Sequence, residues 1–193
     1  HNAIQANSVY PDWVCRFYVG QSVPNEIILT LENFSNTEVI RMETQGDWTS
    51  MFWRFYPASE SDVDIMISRD CDSRLSLREK IAVDEWLSSD KDDLVISRDT
   101  DSRITEREVA AVNEWIKSEY DFHIMRDHPW HGTQILGGMW GVRNSILKDM
   151  KNKIDEFVKG NFWQVDQNFL AKIIYPIVKE NLFVHDEFFN YDL

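Results

Sequence analysis

This chain is poor in cysteine and in positive charge, and it has no long apolar run. Its two cysteines, Cys15 and Cys71, stand at no metal-ligand spacing. That excludes a disulfide framework and a cysteine-built zinc site, and it fits a reducing compartment. No apolar stretch approaches the roughly 18 residues needed to cross a bilayer. The opening His1-Asn-Ala-Ile-Gln-Ala-Asn has neither the charged nor the apolar region of a signal peptide. The expectation is therefore a cytoplasmic protein without a membrane span, and His1 in place of an initiator Met points to a fragment. Lys and Arg number 20 against 33 Asp and Glu, a net charge of −13. Such a chain repels phosphate backbones and has no basic stripe, which excludes nucleic acid as a partner. A phosphate-bearing ligand would need a metal to bridge it.

What is present is enough for a globular core. Hydrophobic residues make up 43% of the 193, aromatics 13% and charged residues 27%, so the chain is not disordered and reads as one domain over 1–193.

The organising stretch is Ile65-Met-Ile-Ser-Arg-Asp-Cys-Asp-Ser-Arg74, an apolar strand-like run that empties into two aspartates one residue apart. Ser76-Leu-Arg-Glu79 follows as a capping box, and a helical pattern runs on through Trp86 and Leu87. The unit then recurs. Ile96-Ser-Arg-Asp-Thr-Asp-Ser-Arg103 leads into the capping box Thr105-Glu-Arg-Glu108 and into Val109, Val112, Trp115 and Ile116 at helical spacing. At an offset of 29 residues, positions 67–92 and 96–121 agree at 15 of 26 places, both aspartates included. The length is that of one βα unit duplicated in tandem. A carboxylate pair at the carboxyl end of a buried strand sits where open α/β sheets bind ligands, and hard oxygen donors at i and i+2 suit a divalent cation carrying phosphate. The bland alternative is an Asx-turn facing a helix dipole. A calcium loop of EF-hand type fits poorly, because Ile104 stands where that loop needs glycine and Ala110 where it needs a bidentate Glu.

The rest alternates in the same manner. A helical tail before Tyr10-Pro-Asp precedes a strand at Trp13–Val19, and Pro24 opens a helix to about Asn33. Glu38–Met42 is a short strand, and Thr49–Tyr56 is an aromatic helix stopped by Pro57. Phe122–Asp127 is a strand ending in an acid. Ile135-Leu-Gly-Gly-Met-Trp-Gly141 reads as a stretch whose glycines admit a ligand or another backbone closely. Asn144 to about Lys159 is an amphipathic helix, and Asp166 is the expected N-cap of a helix over 167–175 that kinks or ends near Pro176. His123, His128 and His131 are too loosely spaced for zinc. Strands alternating with helices predict an α/β fold with a mostly parallel, Rossmann-like central sheet flanked by helices.

In order along the chain, Trp13-Val-Cys-Arg-Phe-Tyr, Met51-Phe-Trp-Arg-Phe, Arg-Asp-x-Asp-Ser-Arg, His123-Ile-Met-Arg-Asp-His-Pro, Ile135-Leu-Gly-Gly-Met-Trp-Gly, Asp166-Gln and Val184-His-Asp-x-Phe-Phe resemble a group of bacterial and viral glycosyltransferase-like proteins. These are similar to the glycogenin-like sugar-nucleotide transferases of the GT-A fold, and the resemblance covers nearly the whole chain. It implies a transferase that moves a sugar from a nucleotide-sugar donor, a UDP-sugar first among them, to a glycan or other hydroxyl acceptor. It implies Mn²⁺ or Mg²⁺ held by Asp70 and Asp72, or by Asp99 and Asp101, with His185 completing the shell. Arg54, Gly137, Gly138 and Gln167 would face donor or acceptor. Asp166 or Asp127 would orient the acceptor hydroxyl or steady an oxocarbenium-like centre. It also implies that the family's first strand is missing ahead of Trp13 and that the acidic unit, single in the family, is doubled here. The remaining alternative is an inactive module that binds the metal or the sugar nucleotide without turnover.

Overall fold

The computed structural model describes residues 1–63, 65–68, 75, 77–88, 94–98, 106–127, 129–130, 132–143, 146–157 and 160–189. Both acidic turns, with Asp70, Asp72, Asp99 and Asp101, lie outside the described residues, as do Ser76, Thr105, His128 and His131.

The first part is a βαβ unit. Helix α1 (Asn2–Val9) leads through the Tyr10 turn into β1 (Cys15–Val19), and α2 (Asn25–Glu32) carries the chain to β2 (Thr37–Arg41). The two strands pair in parallel from Cys15↔Thr37 to Val19↔Arg41. Pro24, at φ −58°, stands at the N-cap of α2, where its missing N–H leaves no donor unsatisfied.

The chain then makes a 3-10 helix, Trp48–Ser59, capped by Asp47, whose Oδ1 accepts from Thr49 N–H at 2.8 Å. Pro57 does not stop it: the tighter turns continue to Ser59, and the carbonyl of Pro57 accepts from Glu60 N–H at 3.2 Å. A second sheet follows, with strands in the order β3 (Met66–Ser68), β4 (Leu94–Arg98), β6 (Met139–Arg143), β5 (Phe122–Arg126) and β7 (Leu182–Asp186). The stretches 67–92 and 96–121 contribute β3 with α3 (Leu77–Leu87) and β4 with α4 (Glu106–Lys117). Their strands are parallel and pair Ile67↔Ile96 and Ser68↔Ser97, so each residue faces its own equivalent.

The expected mostly parallel sheet is corrected to a mixed one. Strand β6 runs antiparallel to both neighbours, β4 and β5. No helix lies among the described residues between β5 and β6, so the chain turns back directly, as an antiparallel pair permits and a parallel pair does not. The glycine-rich segment is thus a turn, closed by Met139 N–H to the Leu136 carbonyl at 3.3 Å, followed by a strand. The helix expected from Asn144 is α5 over Met150–Phe157, and Asn144 lies outside the described residues.

Apolar residues alternate between the two faces of this sheet. Phe122, Ile124, Trp140 and Val142 pack with Phe52, Phe55, Ile154 and Phe169 on one side. Ile96 packs with Ala6, Tyr10, Val83, Val112 and Trp115 on the other. Both faces are therefore covered by helices. Trp115 and Trp140 are fully buried, and each contributes roughly 2–3 kcal/mol of apolar burial, the scale for a large core side chain.

Candidate functional site

The chain's last helical body sets the site. Helix α6 (Val165–Phe169) passes through a π-type turn (Leu170–Ile174) into α7 (Tyr175–Val178) without a break. Asp166 is not the N-cap expected from sequence. Gln164 takes that position in a left-handed conformation, φ 62°, with no side-chain cap bond. Asp166 therefore sits inside the first turn, where a negative charge is favoured by the helix dipole. Its carboxylate turns inward, 3% exposed, and accepts from Arg54 Nη2 of the 3-10 helix at 2.7 Å.

Gly137 closes the third side. Its carbonyl accepts from Ser97 Oγ at 2.7 Å and from Trp140 Nε1 at 3.1 Å, which fixes the turn against β4 and β6. A Cβ at Gly137 would lie 2.9 Å from Arg54 Nη2, 3.0 Å from Asp166 Oδ2 and 3.8 Å from Gln167 Cγ. A side chain at 137 would crowd Arg54 and Asp166, while Gln167 lies at ordinary contact distance. Gly138 is the buried second residue of the same turn. Arg54, Gly137, Asp166 and Gln167, spread over more than a hundred positions, thus meet at one place.

Beside them opens a cleft of about 1220 Å³, lined by Arg54, Ser68, Trp163, Asp166, Gln167 and Cys15 to Tyr18 of β1. Residues 12–18 and 65–68 line it consecutively. Successive strand side chains point to opposite faces, so a cavity touched by all of them meets β1 and β3 at their edges. Among the described residues β1 pairs only with β2, and β3 only with β4. The cleft is the space between two open strand edges.

Its charge is biased negative. Asp12, Glu38, Asp62 and Asp166 line it against Arg16 and Arg54. Arg16 is already committed: Nε donates to Glu38 at 2.6 Å, Nη2 to Asp62 at 3.0 Å, and Nη1 to Glu60. Burial pulls its pKa down, but these carboxylates push it up by more, so it stays a fixed cation. Tyr18 donates to Glu60 at 3.0 Å, and burial together with that carboxylate raises its phenol well above the usual value. Of the two arginines, Arg54 belongs to the convergent site.

The other residues expected from sequence lie elsewhere. Asp127, at the end of β5, is held bidentately by Arg107 (2.5 and 2.9 Å) and does not line the cleft. His185 on β7 has both ring nitrogens facing protein partners: Nδ1 lies 2.9 Å from His123 Nε2, and Nε2 lies 3.1 Å from Glu114 Oε2. To ligate a cation it would have to give up one of them. His123 is itself buried and stacked on Trp115, with ring centroids 5.4 Å apart. Among the described residues no group of three or more His, Cys, Asp or Glu converges as a metal site, and no helix is long and apolar enough to cross a membrane. The carboxylate pairs that would hold Mn²⁺ or Mg²⁺ are those of the two acidic turns, outside the described residues.

Sequence reasoning missed Ser97, Glu114 and Trp163. Ser97 carried a signal, since it is the repeat equivalent of Ser68, also buried at a strand end. No family model matches the chain, and no curated protein matches it. A solved structure to which it is similar is that of a glycosyltransferase involved in the glycosylation of the major capsid of PBCV-1, at 12% identity over 90% of this chain and 82% of that one, with a TM-score of 0.44.

Proposed function

We propose that this protein is a metal-dependent glycosyltransferase that moves a sugar from a nucleotide-sugar donor to a hydroxyl acceptor, a glycan first among them. The observation that carries the reading is the convergence of Arg54, Gly137, Asp166 and Gln167, of which Arg54, Asp166 and Gln167 line one cleft. These are among the residues to which the resemblance gives a role at the donor or acceptor.

Arg54 supplies a positive charge for the departing diphosphate, and its pairing with Asp166 fixes the guanidinium in place. Asp166 accepts from the attacking hydroxyl or lies against the sugar carbon as positive charge develops there, and Gln167 offers an amide for the sugar's hydroxyls. A divalent cation, held by Asp70 and Asp72 or by Asp99 and Asp101 with His185 released from one protein partner, would neutralise charge on the diphosphate as a Lewis acid. The space between the edges of β1 and β3 supports a further element of the reading: one more strand belongs between them, completing a single sheet beside the site.

The test is a thermal-shift screen of nucleoside diphosphates and sugar nucleotides with and without Mn²⁺, since a ligand of the native state raises its apparent stability. A UDP-sugar that stabilises only with Mn²⁺, and only while Arg54 is present, is the expected result. Equal stabilisation of Arg54→Ala, or no nucleotide effect at all, would overturn the assignment. Turnover of the bound donor separates the transferase from a module that only binds.

A further inference from the structure

Trp163 is 66% exposed yet lines the cleft together with Gln164, Asp166 and Gln167. Its turn is built to present it. Asn161 Oδ1 accepts from Trp48 N–H at 2.9 Å, tying the segment to the start of the 3-10 helix. The neighbouring Phe162 ring lies over Gly160, 3.2 Å from where a Cβ would stand, so the glycine gives this ring its place beside Trp163. Gln164 takes the left-handed conformation that ends the turn, at a cost of about 1 kcal/mol or more for a non-glycine residue. An exposed indole on a fixed turn, beside two amides and a carboxylate, offers one flat apolar face and several hydrogen-bonding groups within one ligand's reach.

We propose that Trp163 is a stacking platform for a neutral sugar ring, the acceptor ring of the reaction proposed above. The C–H face of a pyranose lies on the indole, while its hydroxyls reach Gln164, Gln167 and Asp166. The excess of carboxylates over arginines in the cleft, in a chain of net charge −13, disfavours a uronate or other anionic ring. The inference rests on the transferase reading only in naming the ring as the acceptor.

The experiment titrates the full chain with linear neutral hexose oligomers and with uronate oligomers, by calorimetry, in wild type, Trp163→Ala, Trp163→Phe and Trp130→Ala. Trp130 is 88% exposed but does not line the cleft, and it controls for loss of any surface indole. A neutral oligomer is expected to bind the wild type, to bind Trp163→Ala at least about fivefold more weakly, and to bind Trp163→Phe and Trp130→Ala within about twofold of wild type. Thermal unfolding should be the same in all four, because the replaced rings are exposed. Equal affinity in Trp163→Ala, tighter binding of uronates, or no neutral oligomer binding to the wild type would overturn the platform. UDP-sugar binding with Mn²⁺, measured in the same samples, judges the transferase reading separately, since Trp163→Ala leaves Arg54 and the acidic turns in place.

Discussion

Arg126 and Asp186 are register partners on the parallel strands β5 and β7, and their side chains form an ion pair, Nε to Oδ2 at 2.8 Å, with 0% and 4% of their surfaces exposed. Burial alone would push the Asp186 carboxyl up. The N–H groups of Phe189 and Phe188 at 2.8 and 2.9 Å and the Arg126 guanidinium outweigh it, and the carboxyl is held below its ordinary value. A depressed carboxylate contributes stability above its unfolded pKa of about 3.9, and that stability is lost as pH falls through the lower folded pKa. Asp186→Asn leaves Arg126 buried without its counter-charge, which costs about 3–5 kcal/mol near neutral pH. Urea unfolding of the two proteins should therefore differ widely at pH 7 and converge below about pH 4. A gap of constant size down to pH 3 would show that the carboxyl's charge is not what stabilises β7.

Gly141 inside β6 and Gly137 in the turn before it should respond differently to alanine. At Gly141 the new Cβ would fall 2.7 and 2.9 Å from ring atoms of Trp115, which is fully buried and stacked on His123. Neither ring can move, and Gly141→Ala should cost about 1–3 kcal/mol, as overpacking does. At Gly137 the neighbours are the ends of Arg54 and Asp166. These can swing aside, so Gly137→Ala should unfold within about 1 kcal/mol of wild type while losing donor binding. Calorimetric unfolding and a UDP-sugar titration on each variant give the comparison, and a folding cost larger at Gly137 than at Gly141 would reverse the assignment.

Much of this was legible in the sequence because period and punctuation agree there. Pro24 and Asn33 bracket α2, and the apolar run from Phe122 that ends at Asp127 marks β5. Long-range pairing was not legible. Nothing local distinguishes Asp166 as an N-cap from Asp166 as the partner of Arg54, which lies 112 residues away. The antiparallel β6 was hidden because Gly137, Gly138 and Gly141 read as places where a ligand or another backbone comes close, whereas Gly141 makes room for the ring of Trp115. Val-His-Asp likewise shows neither His123 nor Glu114, the two ring partners that only the sheet and α4 bring to His185.

Arg54 and Asp166 have separable duties if the proposed chemistry holds. Arg54→Lys keeps a charge but loses the planar fork that meets a carboxylate and a phosphate together. It should raise the donor KM about tenfold with a smaller change in kcat. Asp166→Asn keeps the shape and should leave donor affinity within a few-fold while lowering kcat by about a hundredfold or more. A donor-binding loss in Asp166→Asn as large as that in Arg54→Lys would mean that the pair acts only as one structural unit.

The two acid pairs follow strands that end side by side. Ser68 and Ser97 pair with one another, and each chain reaches its first aspartate two residues later, at Asp70 and at Asp99. Only one crevice at a switch point takes the ligand in an open α/β sheet. Ser97 already anchors Gly137 through its hydroxyl, whereas Ser68 lines the cleft with Arg54 and Asp166. Under the proposed function, that difference favours the first copy, Asp70 and Asp72, as the pair for Mn²⁺. Replacing both with Asn keeps shape and removes charge, and it should abolish the Mn²⁺-dependent part of UDP-sugar binding. The same change at Asp99 and Asp101 should leave at least half of the binding signal. Excess EDTA should reduce wild-type affinity to that of the Asp70/Asp72 double variant. Calorimetry across the three proteins decides it: loss only at Asp99 and Asp101 moves the cation to the second copy, and loss at both makes one shared site of four carboxylates.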